Sequence, residues 1–256
     1  MTKISYVNFI NPLKVKYLGW KYICIILLMI LIPDLGLSRD KGRSAFGITM
    51  PLYEIYGIDV SRYQEKINWK DIANVKSGKD SVKITFAFVK ATEGQSLKDK
   101  YFNYNWRETK KHNIIRGAYH YYKPNVNSLL QAANFIRQVK LQSGDLPPVL
   151  DIEEVGKLGS DNMKKGVKKW LKKIESHYGV KPIIYTNVSF YKKYLSGKDF
   201  EEYHFWIAHY TKNSPNVDFE WIFWQYSDKG VIKNINSKVA FNVHKGTREE
   251  LLTLCK

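Results

Sequence analysis

The sequence predicts an α/β fold, an irregular TIM-like barrel of eight strands and about five helices, on three observations. From about residue 56, short β-branched or aromatic runs alternate with longer helical patterns, as βα units around a parallel sheet do. The strand-like runs number eight, the count that closes a barrel of this type. The last two gaps between them are too short for a parallel crossover, which needs about a dozen residues or more.

In chain order the strand runs are Tyr56–Val60, Ile84–Lys90, Arg116–Tyr122, Pro148–Glu153, Pro182–Asn187, His204–Tyr210, Trp221–Tyr226 and Lys238–Val243. Helical patterns fill the first five gaps: Trp69–Val75, Tyr101–His112, Ser128–Leu141, Asn162–Tyr178 and Ser189–Leu195. The fourth shows the helical period best. Met163, Val167, Trp170, Leu171, Ile174 and Tyr178 share one face, and Lys164, Lys165, Lys168, Lys172 and Lys173 surround it. The gaps Thr211–Glu220 and Ser227–Ser237 carry Asn, Pro, Asp and Gly instead, so the last strands are expected without helices and partly antiparallel. Residues 39–55 read as a polar linker and residues 56–256 as one barrel, with no internal repeat and no second module.

Ahead of the linker, Tyr22–Ile32 is an apolar run that follows Lys14, Lys16 and Lys21 and stops at Pro33. That order reads as an export signal peptide within residues 1–38, or as an N-terminal membrane anchor, and places the body outside the cytoplasm, extracellular or in the cell envelope. The run is short of the about 20 residues that span a bilayer. Cys24 and Cys255 do not look like a disulfide pair, so the fold rests on its core.

The formal net charge is +17, of which residues 1–38 contribute +3, leaving +14 on the rest. Such a body is drawn to polyanions, and charge alone does not choose among them. No zinc-finger spacing, Gly-rich phosphate loop or RNA-binding motif occurs, so no specific nucleic-acid partner is predicted. The six histidines form no i, i+4 pair and have no cysteine at ligand spacing, so no metal or other cofactor is predicted either. No Gly-x-Ser-x-Gly turn suggests a serine hydrolase.

In barrels of this type reactive residues sit at the C-terminal strand ends. Here those ends carry Asp59, Glu93 and the pair Asp151 and Glu153. Two apart on a strand, Asp151 and Glu153 point to one face roughly 6–7 Å apart along the chain. Carboxylates this close disfavour joint ionisation, leaving one protonated and one charged, as glycosidic cleavage requires. An isolated Asp-x-Glu is more often a solvated strand end. The apolar run Leu146–Leu150 before this one, and the acids on two other strand ends, favour chemistry. Tyr119, Tyr121, Tyr185, Trp206, Tyr210, Trp224 and Tyr226 lie at or near strand ends and offer rings for stacking on sugars, although part of this set belongs to the core.

Seven ordered segments between about residues 57 and 246 resemble the family 25 glycoside hydrolases, the N-acetylmuramidase lysozymes. They are Gly57-Ile-Asp-Val-Ser-Arg-Tyr-Gln64 with Ile67-Asn-Trp69, Phe86-Ala-Phe-Val-Lys-Ala-Thr-Glu-Gly94, Arg116-Gly-Ala-Tyr-His-Tyr-Tyr122, Pro147-Pro-Val-Leu-Asp-Ile-Glu153, Ile183-Ile-Tyr-Thr-Asn187, Phe205-Trp-Ile-Ala-His-Tyr210 and Trp224-Gln-Tyr-Ser-Asp-Lys-Gly230. The resemblance implies a β8α5 barrel that cleaves peptidoglycan glycan strands; a monomer is expected. It implies Glu153 as general acid, Asp151 as the residue orienting the substrate's own 2-acetamido group, and Asp59 as a further active-site carboxylate. Glu93, Tyr119, Tyr121, Tyr185, Trp206 and Tyr226 are expected along the sugar groove. One position departs from the pattern: the last strand reads Val239-Ala-Phe-Asn242, with Ala240 where the family usually carries an aspartate. That departure keeps open a weakened or purely wall-binding protein of the same fold. Family 18 chitinases, which also use strand-four carboxylates, carry a longer Asp-rich series there and fit less well.

Overall fold

Eight strands close on themselves in this chain. The computed structural model describes residues 43–256 except 78, 79, 212, 213 and 216. The expected signal or anchor in residues 1–38, and membrane association through residues 22–32, lie outside the described residues. Among the described residues no helix is long and apolar enough to cross a membrane.

The barrel strands are β3 (Ile55–Val60), β5 (Asp80–Glu93), β7 (Ile115–Tyr121), β8 (Val149–Asp151), β9 (Ile183–Asn187), β10 (Phe205–Ala208), β11 (Trp221–Gly230) and β12 (Val239–His244). They pair in that order, and β12 returns to β3, while the short β6 (Leu97–Lys98) turns back on the end of β5. Neighbours are parallel from β3 through β11, and β12 alone runs antiparallel to both of its partners. The five expected helices appear as α1 (Trp69–Ile72), α2 (Phe102–Lys111), α3 (Ser128–Gln138), α4 (Gly159–Tyr178) and α5 (Val188–Phe190, continuing as a π-turn over Tyr191–Leu195). Among the described residues the last two barrel connections contain no helix, as their composition predicted, but β10 and β11 run parallel, so the gap Thr211–Glu220, expected to be too short for a parallel crossover, makes one with an irregular segment.

Two expectations give way. The first helix ends at Ile72, and β4 (Asn74–Ser77) then turns back against the start of β5, with Val75 paired to Val82. Two β-branched side chains buried across a strand pair outweigh one more helical turn. The stretch expected as a linker is structured from Arg43 onward: β1 (Arg43–Ala45) and β2 (Ile48–Met50) form a hairpin. Phe46 at its turn stacks on Phe241 with ring centroids 5.2 Å apart, and Met50 is fully buried. A sixth helix, α6 (Arg248–Thr253), follows β12. It starts at a reciprocal capping box between Thr247 and Glu250. Its Leu251 is buried with Ile55, Val149 and Ile183 at the strand starts, closing the barrel's lower end.

The interior is filled by rings. A register shift between Tyr56 and Gly57 puts an extra residue on β5, after which Phe86 and Phe88 face inward while Ala87 and Val89 face the helices. Phe86 pairs with Gly57 and Phe88 with Gly117. A Cβ at either glycine would overlap the facing ring, so the glycines make room for the aromatic filling. Phe223 packs edge-on to Phe88 at 5.1 Å, and Trp206 stacks on Phe88 at 4.3 Å. This column rises from the closed lower end to the C-terminal strand ends, where the carboxylates lie.

Candidate active site

Asp59 is the last residue but one of β3, Asp151 ends β8, and Glu153 lies two residues on, in the loop to α4. That loop is anchored: Lys157 N donates to Asn125 Oδ1 at 2.7 Å, and Gly156 takes the left-handed backbone that the turn needs, with φ 77°. Beyond the short β8, the pairing to its neighbours continues. Tyr122 N donates to Asp151 O at 2.8 Å, and Ile152 N donates to Tyr185 O at 3.0 Å. The segment carrying both acids is therefore held from either side.

Asp151 is buried and Glu153 is exposed. The two carboxyls share a hydrogen bond. Burial first, then the charge and hydrogen bond of Glu153, hold the Asp151 carboxyl well above the usual range, against the opposing charge of Lys90. The pair thus retains one proton where an isolated carboxyl would have lost it. No N–H or hydroxyl among the described residues reaches the buried Oδ1 of Asp151, an uncommon state for a buried polar atom.

Asp59 is held by amides. Its Oδ2 accepts from Gln225 Nε2 at 2.7 Å and from Asn242 Nδ2 at 2.9 Å. Both amides are themselves fixed. Asn242 Oδ1 accepts from Trp206 Nε1 at 2.8 Å, and Gln225 Oε1 accepts from the hydroxyls of Tyr185 at 2.8 Å and Tyr210 at 2.6 Å. Burial raises the Asp59 carboxyl to about 6; the amide hydrogen bonds pull against this, and the charges of Glu153 and Asp228 add to it.

Of the expected groove residues, Tyr119 lies within the field of Asp59, Asp151 and Glu153, and its ring meets Trp206 edge-on. Tyr185 joins the Asp59 network. Tyr121 borders Glu153 and Asp151, and its hydroxyl donates to Glu154 Oε1 at 2.8 Å. Lys90 and Lys123 lie over the Tyr121 ring at 4.9 and 4.6 Å. Glu93 pairs with Lys90 at 2.8 Å. Burial alone would raise Glu93, but the lysines and Arg62 bring its carboxyl below the usual value.

Two expected groove residues are placed differently. Trp206, only 2% exposed, is the floor under the site, stacked on Phe88 with its N–H spent on Asn242. Tyr226, 4% exposed, packs beside Trp224 and Phe241 in the layer outside the barrel, because Gln225 before it takes the inward position. Both rings are buried, whereas Tyr210 is 53% exposed and anchored through its hydroxyl. Gln225, Asn242, Lys90 and Glu154 stand among these groups and were left out by the reading of acids and rings. Strand alternation marks the first two, since Asn242 stands two residues from Ala240. Ala240 itself pairs directly with Asp59. Among the described residues no three His, Cys, Asp or Glu side chains converge as a metal site.

The chain matches the family described as glycosyl hydrolases family 25 over residues 58–235. It is 46% identical over 209 residues to the uncharacterized protein YegX of Escherichia coli strain K12, covering 81% of this chain and 76% of that one. It is 32% identical over 215 residues to Lysozyme M1 of Streptomyces globisporus, covering 78% of this chain and 71% of the lysozyme. Among solved structures, a family 25 glycosyl hydrolase from Bacillus anthracis superposes with a TM-score of 0.71 at 31% identity, covering 86% of this chain and 100% of the other. A bacterial lysozyme from Streptomyces coelicolor superposes at 0.69, also at 31% identity, over 79% of this chain and 97% of its own. A mouth of buried and exposed carboxylates on an eight-stranded barrel, and these likenesses, lead to one conclusion: the chain belongs to glycosyl hydrolases family 25 and is a glycoside hydrolase of the muramidase type.

Proposed function

We propose that the protein cleaves the β-1,4 bond between N-acetylmuramic acid and N-acetylglucosamine in bacterial peptidoglycan, outside the cytoplasm, with Glu153 as general acid and Asp151 assisting the substrate's acetamido group. The observation that carries this reading is the placing of a buried Asp151 and an exposed Glu153 two residues apart at the end of β8, on the barrel mouth that also holds Asp59. Glu153 is the member a bound glycan meets. Asp151, set behind Glu153 and lacking a hydrogen-bond partner on its Oδ1 among the described residues, orients the acetamido N–H.

The acetamido carbonyl oxygen then attacks the anomeric carbon as the bond to the leaving oxygen breaks, and Glu153 delivers its proton to that oxygen. Glu153, now a carboxylate, takes a proton from the water that opens the cyclic intermediate, which restores the starting state. Asp59, fixed by two amides, supplies negative charge on the opposite side of the mouth as the sugar becomes cationic.

Turnover tests this. Wild-type protein is expected to release reducing ends from purified peptidoglycan, with muramic acid at the new end; glucosamine there would sink the assignment. Glu153→Gln is expected to lower kcat by about 10²–10⁴-fold while retaining glycan binding. Activity is expected to decline as pH rises and the shared proton leaves the pair.

One observation favours a second reading. Ala240 puts a methyl group beside Asp59 on β12, and a site short of one carboxylate suits a protein that binds the wall with weak or no cleavage. Wild-type protein that pulls down with peptidoglycan but releases no reducing ends would decide for it.

A further inference from the structure

Strand β11 shifts register twice against β12. Gln225 pairs with Asn242, Ser227 with Phe241 and Gly230 with Val239, so Asp228 and Lys229 together oppose Ala240. On its other edge Ala240 pairs with Asp59. Across the mouth the strands therefore present Asp59, then a methyl group, then the Asp228 bulge. Adjacent strands lie ~4.8 Å apart, so the two acids flank a gap about one side chain wide. Bulges beside active sites re-aim side chains in this way.

Asp228 is exposed, and its charge reaches both Asp59 and the Tyr210 hydroxyl. Tyr210 in turn bonds Gln225, whose amide holds Asp59. An exposed carboxylate thus hangs at the outer end of the network that orients Asp59. Its neighbour Lys229 lies on the side of the hairpin residues Gly47 and Ile48. The other groups facing Asp59 are accounted for: Ala240 and Asn242 on β12 are uncharged, Glu153 reaches it from the β8 loop, and Asp151, Tyr119 and Tyr185 share its field.

We propose that Asp228 is a substrate-positioning carboxylate of this site, aimed across Ala240 so that it accepts hydrogen bonds from hydroxyls of the saccharide lying over Asp59. It does from β11 what an acid at position 240 would do from β12. The proposal rests on the muramidase reading, and the two fail differently.

The test uses the full chain and three variants, Asp228→Asn, Ala240→Asp and the double variant, on soluble peptidoglycan fragments. Asp228→Asn is expected to lower kcat/KM about ten-fold, the loss of one charge-assisted hydrogen bond, without changing the urea unfolding midpoint. It is also expected to move the Asp59 carboxyl titration, followed by ¹³C NMR, to lower pH. Ala240→Asp in the Asp228→Asn background is expected to restore kcat/KM to within about three-fold of wild type, a rescue that a structural role does not produce. Unchanged kcat/KM in Asp228→Asn, or no rescue in the double variant, overturns the proposal. If the wild type itself does not cleave, the muramidase reading fails, and fragment affinity across the same variants decides the role of Asp228 by the same pattern.

Discussion

Asp59 and Asp151 are costly residues. Each is a carboxyl that folding drives towards its protonated form, chiefly by burial, Asp59 to about 6 and Asp151 higher. A group that binds its proton more tightly folded than unfolded adds stability below its unfolded pKa, 3.8 for Asp59, and that contribution is lost as pH rises through the folded value. Stability is therefore expected to fall between about pH 4 and pH 6 and to stay lower above. Asp59→Asn keeps an oxygen for the Gln225 and Asn242 amides and has no proton to lose. It is expected to gain of order 2 kcal/mol relative to wild type at pH 8 and almost nothing at pH 4, read by urea unfolding at both values. An equal difference at the two values would show that Asp59 is not held protonated by the fold. The acids were legible in the sequence because strand ends of a barrel are where reactive groups stand. Their partners were less so: Gln225 and Asn242 are ordinary amides whose role exists only through a cross-strand register of 166 and 183 residues' separation. Trp206 and Tyr226 misled for the same reason, since an aromatic near a strand end can stack on a sugar or fill a layer, and only the direction it faces decides.

At the scale of elements, alternation and gap length carried the fold. All eight strands and the five helix positions were legible, because a strand buried between ring-filled interior and helices shows long β-branched and aromatic runs. The hairpin β1–β2 was not. Three-residue strands show no period, and the polar residues around Phe46 read as linker until Phe241 provides a surface for it. Helix α6 was hidden by its length, although Thr247 and Glu250 spell a capping box. The interior packing yields a prediction at this scale. Gly117 faces the Phe88 ring across β5 and β7, with Leu146 also close, so added volume has no room to relax. Gly117→Ala is expected to cost about 1–3 kcal/mol in urea unfolding, and Phe88→Leu in the same chain is expected to recover part of that loss. Additive losses in the double variant would mean that the ring and the glycine do not make room for one another.

The whole molecule joins a cleavage site to a cationic surface. The chain beyond residue 38 carries +14, and α4 shows why that charge is not a by-product of folding. Lys164, Lys168 and Lys172 form one row at i, i+4 spacing and Lys165, Lys169 and Lys173 another, a like-charge arrangement that disfavours the helix. Among the described residues Lys168 pairs with Asp199 at 2.6 Å, and a surface pair of that kind contributes little. The buried face of Met163, Val167, Trp170, Leu171 and Ile174 is what holds α4 in place against that repulsion. A charged surface of this strength steers the protein towards an anionic wall at low salt and loses its reach as the screening length shrinks from about 30 Å at 0.01 M to about 8 Å at 0.15 M. The proposed pair, Asp151 and Glu153, acts over hydrogen-bond distances and is not screened on that scale. Rates on intact sacculi are thus expected to fall steeply between those salt concentrations, while kcat on short soluble fragments stays within about two-fold. Replacing Lys165, Lys169 and Lys173 with Gln is expected to flatten the salt dependence on sacculi and leave fragment cleavage unchanged. Equal salt sensitivity on both substrates would locate the effect in the site itself rather than in the surface.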